Sequence, residues 1–447
     1  MHHDLPLSER DGYLSTPRAA WFAFAMTVGL MVFDYVDRQI IVSLFPHLKK
    51  EWGLSDKELG ALVSVVSLTV AIGGIPVALI ADRMSRVKSI VVMATAWSLA
   101  TISCMFTRNY GQLLAARAVV GLGEAGYGSV GAGLIASHFP SRMRGALMAG
   151  FFASASIGSV LGVMLGGIIA DKWGWKAAFG VVGFPGLVLA LLYLFVRDYR
   201  TVDLTPKLDA ATRSTRAAAS HIVKVLARSR TMLWMCIGAP AQVIVIAAVW
   251  GWLPSYLNRV HGMSPKDAGV QASLVVLCGA IGSVVWGTWV DRAGRNRPGA
   301  KLQMIALLCL ATMIVLGFAF GAPLAGIALA AKTQFALIAL GGFLMTCTAG
   351  PVAAIVIDVT HPGVRSTGAS VLSLFQNLFG LALGPVIAGA LSDKFGLATA
   401  LAIMPAFGIV AIAAMLMASR TYAADMSGAS TLPDAAGEAA APRPALA

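Results

Sequence analysis

Apolar positions in this chain neither alternate nor form one narrow stripe with a helical period. They come in long, nearly unbroken blocks separated by short polar breaks. A helix needs about 20 mainly apolar residues to cross a bilayer. Blocks of that size lie near 20–45, 58–80, 88–106, 111–137, 145–169 and 176–196, and again near 231–256, 266–290, 302–321, 333–357, 367–391 and 397–418. The pattern predicts an all-α membrane protein with twelve transmembrane helices. Its main interruption, 197–230, carries Arg197, Arg200, Lys207, Arg213, Arg216, Lys224, Arg228 and Arg230. The expected organisation is a cytoplasmic N-terminal segment 1–19, a six-helix bundle 20–196, a cytoplasmic linker 197–230, a second six-helix bundle 231–418 and a cytoplasmic tail 419–447. The tail is rich in Ala, Pro and Gly, has little to bury, and is expected to be disordered.

Composition agrees with a lipid solvent. The chain is 57% hydrophobic and 12% charged, against about 25% charged in a soluble domain. The net charge of +13 does not mark a nucleic-acid binder, because the basic residues sit in short loops between apolar blocks and not on one stripe. Most of them lie on the side that holds both ends and the linker, which places that side in the cytoplasm. No secretory signal is expected, since the first twenty residues are polar and the apolar blocks recur. The cysteines, Cys104, Cys236, Cys278, Cys309 and Cys347, form no CxxC pair and read as packing residues. No Walker motif and no metal-ligand spacing is present, so neither ATP nor a metal cofactor is expected.

The two halves repeat each other. Leu54-Ser55-Asp56-Lys57-Glu58-Leu59-Gly60 aligns with Met263-Ser264-Pro265-Lys266-Asp267-Ala268-Gly269, and Pro46 aligns with Pro254. Asp82-Arg83 aligns with Asp291-Arg292, and Ala170-Asp171-Lys172-Trp173-Gly174 with Ser392-Asp393-Lys394-Phe395-Gly396. Parallel repeats of six helices are one of the recurrent plans of secondary transporters.

Gly287-Thr288-Trp289-Val290-Asp291-Arg292-Ala293-Gly294-Arg295 resembles the GxxxDRxGR loop motif of the major facilitator superfamily, with a degraded copy from Ala78 to Lys88. Ala78 stands where the family usually has Gly. Asp34-Tyr35-Val36-Asp37-Arg38 resembles the NYxDR motif of helix 1 in anion:cation symporters and Spinster-like transporters, with Asp34 in place of the usual Asn. Arg117 through Ala125 resembles their RxxxGxGEA motif of helix 4, and Asn377 through Pro385 with Gly389-Ala390-Leu391-Ser392-Asp393 resembles their helix 11. The resemblance covers roughly 20–418. It implies the major facilitator fold, two pseudo-symmetric six-helix bundles that alternate access to a central site. It also implies that Asp82, Arg83, Arg86, Asp291, Arg292 and Arg295 form a cytoplasmic gate, and that the functional unit is a monomer.

Ionisable residues at membrane depth are costly and point to function. Asp34, Asp37 and Arg38 share one face of helix 1 at i, i+3 and i+4. Arg117 and Glu124 lie two turns apart on one face of helix 4, and by the family fold both helices line the central cavity. Three carboxylates and two guanidiniums leave one net negative charge, which one proton neutralises. Asp37 and Glu124 are therefore expected to carry protons, with Asp34 as a further candidate. Arg38 and Arg117 are expected to hold an anion, since guanidinium stays charged and offers a fork to carboxylate. Tyr127, Gln242 and Asn377 are candidate substrate contacts, with Ser154 and Gln376 as weaker ones. Trp250 and Trp252 read as an interfacial belt, His138 and His361 as solvated loop residues, and Gly158, Gly162, Gly166 and Gly167 as a packing stripe. The function expected is proton-driven symport of a small organic anion, such as a carboxylate or sugar acid, in a bacterial inner membrane. The Spinster-like resemblance leaves open the export of a lysolipid or drug-like amphiphile. No catalytic constellation marks an enzyme.

Overall fold

A computed structural model describes residues 16–83, 85–197, 229–295, 297–360 and 365–430. Among these are twelve helices long and apolar enough to cross a membrane. In the first half they are α1 Pro17–Trp52, α2 Asp56–Gly74, α3 Arg86–Cys104, α4 Tyr110–His138, α5 Arg142–Trp173 and α6 Trp175–Phe195. In the second half they are α7 Arg230–His261, α8 Pro265–Ala293, α9 Ala300–Gly321, α10 Ala331–Asp358, α11 Gly368–Phe395 and α12 Leu397–Ser427. The helical backbone of α2 continues to Arg83. No strand occurs among the described residues. The linker 198–228, the first fifteen residues, His361 and the tail 431–447 lie outside the described residues.

Local signals set the helix ends. Thr16 caps α1 by accepting from the Ala19 amide, with Pro17 in the first turn where its missing N–H costs nothing. Gly53 ends α1 at φ 65°, a left-handed C-cap. Ser264 and Ser229 cap α8 and α7 through their hydroxyls.

One expectation is overturned at the C-terminus. The disordered tail expected from 419 does not start there, because helix continues to Ser430. Tyr422 is buried and its hydroxyl donates to Asp358 Oδ2 at 2.6 Å. Asp425 accepts from the Ser229 hydroxyl at 2.8 Å and the Thr231 amide at 2.7 Å. The last turns of α12 thus close the N-terminus of α7, whose first amides would otherwise lack partners. Apolar run length missed this, because the holding contacts are polar and about 190 residues away along the chain.

The apolar core shows how the halves meet. At the end distant from the chain termini, one cluster spans both halves, bringing Ile40, Phe45 and Leu59 together with Trp252, Leu257 and Ala272. Toward the terminal end the core divides. Ala20, Leu134, Phe139 and Phe151 form a cluster of the first half, and Met235, Leu302, Val356 and Tyr422 one of the second. The distal end is shut, and the two bundles part toward the terminal end.

Two seams close the distal end, and they differ. Where α5 meets α8, Gly167 and Gly269 bring backbone to backbone. A methyl on Gly167 would lie 2.6 Å from the Pro265 carbonyl, and one on Gly269 would lie 3.0 Å from that of Val163. Where α2 meets α11, Gly60 lies directly against the Pro385 carbonyl and Gly389 against that of Asp56. Here polar contacts are added. Both carboxylate oxygens of Asp393 accept from the first turn of α2, from the Asp56 amide at 2.7 Å and the Lys57 amide at 2.9 Å. In the other half Pro265 stands in the place of Asp56 and has no N–H to give. Along α5, Gly158, Gly162 and Gly166 pack on the α1 carbonyls of Val32, Val36 and Ile40, as the small-residue stripe implied.

Candidate functional site

The ionisable residues of α1 and α4 meet inside the first bundle, and they divide into two groups. Arg38 lies between two carboxylates. Its Nε donates to Asp34 Oδ1 at 2.9 Å and lies 3.2 Å from Glu124 Oε2. The second contact is close enough for an ion pair but is not aligned as a hydrogen bond, so the Glu124 carboxylate is buried without one among the described residues. The guanidinium also lies 5.3 Å from the centre of the Tyr35 ring. Arg38 keeps 17% of its side chain exposed, against 4% for Asp34 and none for Glu124. It is the most exposed of these three charged side chains.

The second group is sealed. Arg117 Nη1 donates to Asp37 Oδ1 at 3.0 Å and to the Asp37 carbonyl at 3.1 Å. The other Asp37 oxygen accepts from the Thr101 hydroxyl of α3. Arg117 is fully buried, and its Nε and Nη2 make no hydrogen bond among the described residues. Helical geometry explains the division. Successive residues are turned by about 100°, so Asp37 and Arg38 point to different neighbours, whereas Asp34 and Arg38 lie one turn apart.

Glu124 owes its place to a break in α4. The helix stops at Glu124, passes through Ala125 and Gly126, and restarts at Tyr127. Gly126 has φ 84°, which a residue with a Cβ adopts only with strain. Interrupted helices at membrane depth are a recurrent way of building transport sites. Gly121 and Gly123, before the break, let α4 touch α2 at Val66 and α3 at Trp97.

Other expected residues fall elsewhere. Arg117, expected to hold an anion beside Arg38, is enclosed on Asp37 and presents no exposed donor in this state. Tyr127 is fully buried between Trp97 and Phe151, and its hydroxyl donates to the Thr27 carbonyl at 2.6 Å. In this state it is a strut between α4 and α1. Gln242 is likewise fully buried, donating to the Met345 carbonyl at 3.0 Å, a bond between α7 and α10. Asn377 is half-buried and donates to the Ser373 carbonyl at 2.9 Å. It lies in a π-helical stretch of α11, Gln376–Leu381, a local widening that often marks a functional segment. Ser154 donates to the Phe151 carbonyl in its own helix.

Trp252 is no belt residue. It is fully buried against Phe45 of the first half, with its indole N–H donating to the Pro385 carbonyl. His138 is not solvated either. It is buried, with its ring nitrogens 3.0 Å from the Leu134 carbonyl and 3.2 Å from that of Arg197. In both, a polar handle reached a backbone partner that periodicity does not reveal.

Of the expected gate, the side chains of Asp82 and Arg83 lie outside the described residues. The Arg86 guanidinium lies against Gly133 of α4. Asp291 is 3.5 Å from Lys301 of its own half, and Lys301 is 3.6 Å from Asp358. Arg292 and Arg295 are exposed and form no ion pair among the described residues. The second-half motif is bonded within its own bundle, which fits a molecule parted at the terminal end.

A feature the sequence did not single out is the distal carboxylate Asp56. It is 2% exposed and receives Lys49 at 2.6 Å, Arg259 at 2.7 Å and the Ser392 hydroxyl at 2.5 Å. The one signal available was the exchange of Asp56 for Pro265 between the repeats.

Comparisons with known proteins fit this geometry. Spinster homolog 3 of Danio rerio is 26% identical over 410 residues, covering 86% of this chain and 80% of that protein. A gallate transporter of Pseudomonas putida is 26% identical over 415 residues, covering 87% and 89%. The crystal structure of a bacterial homolog of the lysosomal transporter Spinster superposes with a TM-score of 0.80 at 21% identity, covering 92% of this chain and 99% of that one. The family model of the Major Facilitator Superfamily matches residues 27–378. With twelve spanning helices, an interrupted α4 and charge pairs at membrane depth, this chain is a transporter, not an enzyme, and it belongs to the Major Facilitator Superfamily.

Proposed function

We propose that the chain is a proton-coupled symporter of a small organic anion, a carboxylate or sugar acid, working by alternating access. The observation that carries this reading is Arg38, a single part-exposed guanidinium shared by two buried carboxylates. With Asp34 and Glu124 both ionised, one cation serves two anions, and a second buried negative charge is costly. A proton on either carboxylate releases donor capacity on Arg38, and a substrate carboxylate takes it up. Without the proton, the substrate would be a third anion on one guanidinium. Binding of proton and anion therefore support each other. Asp37 and Arg117 neutralise one another beneath this site and hold α1, α3 and α4 in register.

In this reading the proton gradient is the energy source, no cofactor is required and the unit is a monomer. The terminal face lies in the cytoplasm of a bacterial inner membrane, so the closed distal seam faces outward. A relative named as a gallate transporter supports an aromatic or hydroxylated acid. The likeness to Spinster proteins favours a second reading, proton-linked export of an amphiphile.

The test is uptake of 4-hydroxybenzoate and gluconate, and of a lysolipid, into liposomes containing the protein under an imposed pH gradient. Accumulation of an acid that needs the gradient, with Glu124→Gln retaining binding but losing accumulation, is the expected result. Unchanged accumulation by Glu124→Gln removes it from coupling. Gradient-driven movement of the lysolipid alone moves the assignment to the second reading.

A further inference from the structure

Outside the central site, a cavity of about 440 Å³ opens at the distal end where the halves meet. Lys49, Asp56, Arg259 and Ser392 line it on the polar side, with Leu324 and Phe395 among its apolar walls. Its size and its mix of apolar wall and few convergent polar groups match those of small-molecule sites.

The charge is unbalanced toward the positive. Two cations share one carboxylate, Lys49 on Asp56 Oδ1 and Arg259 on Asp56 Oδ2. Lys49 is 42% exposed and spends one of its three donors on that contact. The Nη2 of Arg259 is buried without a hydrogen bond among the described residues. The neighbouring carboxylate, Asp393, is committed to the amides of Asp56 and Lys57. The side chains lining the pocket thus sum to one positive charge, with unspent donors from both halves.

The same group bolts the molecule shut. Asp56 belongs to the first half, Arg259 and Ser392 to the second. We propose that this pocket is a capture site for a small organic monocarboxylate, whose carboxylate engages Lys49 and Arg259, draws them from Asp56 and thereby loosens the distal seam. A neutral molecule of the same shape fills the apolar walls but offers the two cations no charge, only the weaker bond of a hydroxyl acceptor. Opening is then favoured by the ligand's better contacts in the loosened state, as any ligand-driven shift requires.

The site is separate from Arg38, and the inference stands without the central-site reading. Spin labels at Lys50→Cys and Ala325→Cys, both exposed at the distal end and on opposite halves, report the seam by pulsed electron resonance. Cys278, the native cysteine that is not buried, is replaced by alanine. Titration of the full-length protein with 4-hydroxybenzoate should raise the long-distance population, and 4-hydroxybenzyl alcohol should not. Lys49→Gln and Arg259→Gln should each weaken half-saturation roughly tenfold, the loss of one charge-assisted bond. A response unchanged in both Lys49→Gln and Arg259→Gln overturns the proposal. So does an equal response to the alcohol. Should either glutamine variant fail to fold, Lys49→Arg and Arg259→Lys keep the charge, and each must retain the response.

Discussion

The buried pair Asp37–Arg117 gives an asymmetric prediction. Both partners are sealed, Arg117 at 0% and Asp37 at 1% exposure, so each depends on the other. Asp37→Asn leaves a guanidinium that cannot shed its proton, facing only an amide and the residue 37 carbonyl. Stranding one member of a buried ion pair costs about 3–5 kcal/mol. Arg117→Gln strands a carboxyl group instead, which escapes by binding a proton while Thr101 keeps its hydrogen bond. Its cost is expected at about 1–3 kcal/mol, the range for an unsatisfied buried polar group. That cost is smallest in acid and grows as pH rises, because only the ionised form is penalised. The double variant pairs two neutral amides and should recover most of the loss. Denaturant titration in detergent micelles at pH 5 and pH 8 measures all four proteins. If Arg117→Gln costs as much as Asp37→Asn at both pH values, or if the two losses simply add, the pair is not the mutually dependent unit described.

Three further outcomes are expected. Gly126→Ala should cost about 1–2 kcal/mol, since its left-handed backbone does not suit a Cβ; transport should fall with it as Glu124 shifts, which thermal melts and uptake report together. Gly60→Val should hold the distal seam apart, because its place against the Pro385 carbonyl admits no side chain; a cysteine placed in α2 below it should react faster with an impermeant thiol reagent, and an unchanged rate contradicts the seam. Asp425→Ala should lower stability by about 1 kcal/mol, the usual worth of a lost N-cap, which a fall in the melting temperature reports.

Much of the architecture was legible, because a membrane span announces itself by length and apolarity alone. The five ionisable residues at membrane depth were legible for the same reason, since lipid makes them conspicuous. Their pairing was not. A periodicity of 3.6 placed Asp34, Asp37 and Arg38 on one face, but the choice between Arg117 and Glu124 as partners depends on where α4 breaks, at Gly126. Tyr127 and Gln242 stood out because any buried polar group looks functional until its backbone partner is seen. Asp56 hid in a polar break between two apolar blocks, where a charge is ordinary. Its burial comes from Arg259 and Ser392, 203 and 336 positions along the chain, and no local pattern encodes that.

The unlike seams at the distal end carry a mechanical consequence. The contact of α5 with α8 has bare backbone on both sides and offers little resistance to sliding. The contact of α2 with α11 carries ions and backbone donors that must separate before water enters. Two bundles joined in this way are expected to swing like a door, turning on the dry side and parting on the charged one. Dissolved salt screens charges at a wetted surface, so ionic strength at the distal face should change how quickly the door swings while leaving the turning side untouched.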